Sequence, residues 1–67
     1  MPYVNVQITQ GATRAQKEQL VKDITDSLAR VLGKKPERTH VVIQEIPEEN
    51  WGLGGMLVGE FRKRNPG

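Results

Sequence analysis

Cysteine is absent and histidine occurs once, at His40. The first absence excludes disulfides and thiolate ligands. Together the two leave no cysteine- or histidine-based metal cluster. No apolar run approaches the ~18 residues of a membrane span, and no signal-peptide pattern opens the chain, so it reads as soluble and cytoplasmic, with no membrane partner. Charge of one sign is also missing. Ten Lys/Arg stand against eight Asp/Glu, a net charge of +2, which is too balanced to argue for nucleic acid by itself. Aromatics are reduced to one Trp, one Tyr and one Phe. The basic run Arg62-Lys63-Arg64 has only Phe61 beside it, so it lacks the interleaved rings of a stacking platform and reads as a solvated tail.

What is present is a chain of 67 residues, one small domain spanning residues 1–67. A chain this short buries only about 60% of its unfolded surface and is marginal alone. With disulfides and a metal excluded, oligomerisation is the remaining support.

The organisation is legible from the N-terminus onward. In Pro2-Tyr3-Val4-Asn5-Val6-Gln7-Ile8, Val4, Val6 and Ile8 alternate with Tyr3, Asn5 and Gln7, the period of a strand. Gln10-Gly11-Ala12 breaks it. Thr13 with Gln16 three residues on forms a capping box, and Leu20, Val21, Ile24, Leu28, Val31 and Leu32 recur at helical spacing. Glu18 with Lys22 and Asp26 with Arg30 have i,i+4 spacing. Gly33, Lys34, Lys35 and Pro36 supply the stop, so a helix is predicted over 13–32. Thr39 to Ile46 reads as a second strand whose run Val41-Val42-Ile43 suits burial on both faces. A helix of this length between strands makes them parallel. After Pro47 and a polar link, Trp51 to Gly59 reads as a hairpin built around glycines, and Glu60 to Gly67 as a fraying tail. The expected fold class is α/β (α+β): one β-α-β unit with parallel strands plus a C-terminal hairpin, assembled as an oligomer because two strands do not make a stable sheet alone.

Few residues can carry chemistry. If Met1 is removed, Pro2 becomes the N-terminus, with a secondary amine at a fixed place on a strand. An α-amino group has a reference pKa of about 7.7–8.0, nearer neutrality than any lysine. Partial burial or a nearby cation lowers it toward the range of a useful general base. Met-Pro is also an ordinary way to begin a protein. Gly52-Leu53-Gly54 lacks the third glycine of a dinucleotide loop, since position 57 is leucine, and no Walker lysine follows. Trp51 suits either a core or a loop leaning over a pocket. His40 suits either a structural donor or a catalyst. Arg38 shares a face with it, about 7 Å away, if the strand already starts there.

In order and spacing these pieces resemble the 4-oxalocrotonate tautomerase family over nearly the whole length. The matching features are Met-Pro at the start, a strand ending in glycine, and a helix opening with Gln16-Lys17. Val42-Ile43-Gln44-Glu45 in the second strand and the aromatic-Gly-x-Gly-Gly hairpin from Trp51 to Gly55 complete the set. The resemblance implies a homohexamer, a trimer of dimers, with Pro2 as catalytic base. It implies no cofactor and no metal, and a small 2-keto or enol carboxylic acid as substrate. The pocket-mouth aromatic, typically phenylalanine, falls on Trp51. The two carboxylate-binding arginines of the founding enzymes fall on Ala12 and His40, so both are replaced here. Arg14 and Arg38, each two residues away, are the substitutes this chain offers. Substrate contacts are therefore expected from His40, Trp51, Arg38 and Arg14. Two other readings stay open. One is hydration or dehalogenation of an unsaturated acid on the same fold, with Glu45 or Glu60 activating water. The other is a non-catalytic binding module.

Overall fold

The computed structural model describes residues 2–65. Strand β1 (Tyr3–Thr9) leads into helix α1 (Arg14–Leu32), a 3-10 turn (Pro36–Arg38) and strand β2 (His40–Ile46). A second 3-10 turn (Glu48–Asn50) precedes the short strands β3 (Gly52–Leu53) and β4 (Met56–Leu57) and a helix α2 (Val58–Arg64). β1 and β2 pair in parallel, from Tyr3 with His40 to Thr9 with Ile46.

Local sequence accounts for α1. The Thr13 hydroxyl accepts from the Gln16 N–H at 3.1 Å, and the Gln16 side chain accepts from the Thr13 N–H at 2.9 Å. Each bond satisfies an otherwise orphaned donor. Gly33 ends the helix at φ +67°, where its N–H reaches the Ala29 carbonyl. The expected i,i+4 pairs are shifted by one step. Arg14 meets Glu18 at 3.3 Å and Lys22 meets Asp26 at 3.0 Å, so the acids bond to the base before them.

The sheet has two unlike faces. Val4, Val6, Ile8, Val41, Ile43 and Glu45 are half-buried on the side that α1 packs against. Tyr3, Asn5, Gln7, His40, Val42 and Gln44 are exposed on the other. Val42, expected to be covered on both sides, is 41% exposed in the single chain. The apolar stripe of α1 is only partly used: Ile24 and Leu28 are half-buried, while Leu20, Val21, Val31 and Leu32 are exposed.

The C-terminal segment departs from expectation. β3 and β4 form an antiparallel hairpin through Gly54 and Gly55, at φ +62° and +82°, which suits a primed two-residue turn. The ladder is shorter than Trp51–Gly59, because Val58 already begins α2. Instead of a fraying tail, residues 58–64 are helical. Val58 and Phe61 share one face, Glu60 lies in the first turn and the basic residues in the last, complementing the helix dipole. Phe61 lies over Gly54, and Arg62 bonds Glu48 at 2.6 Å. Val58, at 6% exposure, is the one buried hydrophobic residue among those described. Pro66 and Gly67, counted with the tail, lie outside the described residues, as does Met1.

Candidate active site

The parallel register decides which residues can meet. Both strands begin at one end of the sheet, so Pro2 and the start of β2 are neighbours there. The His40 N–H donates to the Pro2 carbonyl at 3.0 Å, which ties the residue before β1 to β2. Pro2 is half-buried. Arg38 is exposed and stands at the end of the first 3-10 turn, not on the strand, so it does not share a strand face with His40. That turn is well tied. The Arg38 N–H donates to the Lys35 carbonyl at 3.0 Å, the Thr39 N–H to the Pro36 carbonyl at 3.1 Å, and the Thr39 hydroxyl to the Lys35 carbonyl at 2.9 Å. The C-terminus of α1 arrives at the same end, with Lys34 and Lys35 leading into the turn.

The opposite end of the sheet carries the other candidates. Arg14 follows β1 by way of Gly11-Ala12-Thr13, and Trp51 follows β2 by way of the second 3-10 turn. A strand of seven residues separates them from Pro2, which is about 20 Å at ~3.3 Å per residue. The Arg14 side chain is 93% exposed and bonded to Glu18. Trp51 is half-buried. Its N–H donates to the Glu48 carbonyl at 3.1 Å and its carbonyl accepts from the Val58 N–H at 2.8 Å. A shallow depression lined by Ala12, Gln16, Gln19, Leu20 and Asp23 lies along the first half of α1. Within one chain, then, Pro2, His40 and Arg38 come together, while Arg14 and Trp51 do not join them.

Glu45 is also at the far end. Its carboxylate pairs with Lys17 and accepts from the Gly11 N–H at 3.4 Å. The Lys17 hydrogen bond holds its carboxyl below the ordinary range. This acid is a clamp on the β1–α1 loop, a contact spanning 28 residues that no local pattern announces. Glu60 lies exposed on α2. Among the described residues there is no cluster of three or more His, Asp or Glu able to hold a metal ion, and no helix is long and apolar enough to cross a membrane.

The sequence reading missed α2, whose Val58 and Phe61 back the hairpin that carries Trp51. The apolar i,i+3 pair flanked by an acid and three bases was the available signal.

Comparison with known proteins places this architecture. Residues 2–60 match the family of tautomerase enzymes. The chain is 46% identical over 65 residues to a probable tautomerase K2 of Dickeya dadantii, covering 96% of this chain and 97% of that one. It is 33% identical to a 2-hydroxymuconate tautomerase of Pseudomonas putida, covering 91% and 97% respectively. The structure superimposes on TomN, a 4-oxalocrotonate tautomerase homologue of the tomaymycin biosynthetic pathway, with a TM-score of 0.89 at 29% identity, covering 98% of this chain and all of that one. With the fold and nearly the full length shared, the chain belongs to the tautomerase family and is an isomerase of the 4-oxalocrotonate tautomerase type.

Proposed function

We propose that the chain, as one domain, is a cofactor-independent keto–enol tautomerase in which the Pro2 nitrogen, freed by removal of Met1, is the general base. The substrate is a small 2-keto or enol carboxylic acid. Neutral Pro2 takes the hydroxyl proton of the enol, leaving a delocalised enolate, and the same nitrogen returns the proton to carbon. Pro2 carries the proton transfer, and a cation facing the carboxylate anchors the substrate throughout. The observation that carries this reading is the 3.0 Å bond from the His40 N–H to the Pro2 carbonyl, which fixes the residue whose amine would react beside His40 and Arg38.

Trp51 and Arg14 can serve a Pro2 only across a subunit contact, since a strand length separates them from the Pro2 of their own chain. The reading therefore includes assembly, as a homohexamer built as a trimer of dimers, in which Trp51 of one copy keeps water from the Pro2 pocket of another. The name of the Pseudomonas relative supports an enol acid as substrate class.

The test has two parts. Intact mass of the purified chain should show loss of Met1. Chemical acylation of the Pro2 nitrogen removes its basicity and should abolish turnover of phenylenolpyruvate while circular dichroism stays unchanged. An acylated, folded protein that works at full rate would overturn the mechanism. Pro2→Ala, which leaves a primary amine, should keep part of the activity.

A further inference from the structure

The described ion pairs divide the cations of this chain into two groups. Arg14, Lys17, Lys22 and Arg62 are each bonded to an acid. At the Pro2 end of the sheet, Lys34, Lys35 and Arg38 take part in none of these pairs, and Glu37 is the one acid among residues 33–40. Lys34 and Lys35 follow the C-terminus of α1, whose partial negative charge they face. Arg38 stands beyond it, two residues from the His40 that bonds Pro2, or at most about 7 Å between Cα atoms.

We propose that Arg38 is the specificity-determining cation of the site, receiving the single carboxylate of a monoanionic 2-keto or enol acid at the Pro2 of its own chain. This rests on the assignment of Pro2 as the base. The backbone under Arg38 is held by three hydrogen bonds within residues 35–39, and β2 is held to Pro2 by a fourth. The backbone that carries Arg38 is therefore tied to Pro2 through one continuously hydrogen-bonded stretch of chain. A guanidinium fork matches a carboxylate in bidentate fashion, which the lysine ammonium groups do not. Arg14, the other candidate guanidinium, follows β1 and so lies a strand length from the Pro2 of its own chain.

The experiment compares wild type, Arg38→Gln, Arg38→Lys and the control Lys63→Gln on phenylenolpyruvate at low and high salt. Arg38→Gln should raise KM about tenfold or more, with kcat changed by less than about threefold, because carboxylate binding acts on ground and transition states alike. Arg38→Lys should fall between, and Lys63→Gln should match wild type. The KM of wild type should rise with salt, and that of Arg38→Gln should not. A KM for Arg38→Gln within twofold of wild type, or a loss confined to kcat, overturns the proposal. Co-refolding Arg38→Gln chains with N-acylated chains tests the origin of the arginine, with mixed assembly verified by native mass spectrometry. Activity should keep the high KM of Arg38→Gln, and a return to the wild-type KM would mean that the arginine comes from another copy. Acylation of wild type, run in parallel, separates failure of the base from failure of the cation.

Discussion

Glu45 joins three segments that are remote in sequence: β2, the Gly11 loop and Lys17 of α1. Its carboxyl is held below the ordinary range chiefly by the Lys17 hydrogen bond, with the Gly11 N–H adding to it. A depressed carboxyl contributes stability that is present above its unfolded value, about 4.3. That contribution is lost as pH falls through the lower folded value. We expect Glu45→Gln to lower the urea midpoint at neutral pH and to flatten its acid limb, so that the two proteins converge once pH has fallen through the depressed folded value. Urea titrations across pH at fixed protein concentration check this. Parallel curves for mutant and wild type would mean that the pair adds nothing to folding. The identity of this residue was plain in the sequence, but its partners were not, because an ion pair across 28 residues exists only once the loop is closed.

At the scale of elements, α1 and α2 differ in how they are specified. The capping box, the apolar spacing and the Gly33 stop of α1 are all local, and the helix has the bounds they predict. α2 has seven residues, too few to hold itself together. It persists because Val58 is buried, Phe61 covers Gly54 and Arg62 reaches Glu48, 14 residues away. Charge patterning alone suggested a solvated tail for the same reason. Val58→Ala should therefore cost about 2 kcal/mol and speed amide exchange across 51–64. Hydrogen exchange read by mass spectrometry is the measurement, and unchanged protection there would return α2 to the status of a loose end.

At the scale of the molecule, one chain is not a satisfactory globule. It exposes 5234 Å², against about 4,250 Å² for a compact monomer of its mass. Its radius of gyration is 15.2 Å with extents of 43 × 23 × 20 Å, where about 11 Å suits a compact domain of this length. Tyr3, Val42, Leu53 and Leu57 lie open to water, as do four apolar residues of α1. Cover from other copies answers both this exposure and the separation of Pro2 from Trp51. Light scattering should show a stable oligomer at micromolar concentration. Val42→Glu, placing a charge on the open sheet face, should dissociate it and remove activity together. A folded, fully active monomer would overturn the assembly and the shared site at once.

The sequence by itself determined the β-α-β unit, the helix limits, the hairpin glycines and the short roster of reactive groups. All of these depend on residue type and spacing over one or two turns of chain. The tertiary structure decided which of those groups meet. Parallel pairing brought Pro2, His40 and Arg38 to one end of the sheet and carried Arg14 and Trp51 to the other. It also turned Glu45 into a clamp and the basic tail into a helix. These outcomes depend on register and on contacts between distant segments, and such contacts have no local pattern from which they could be read.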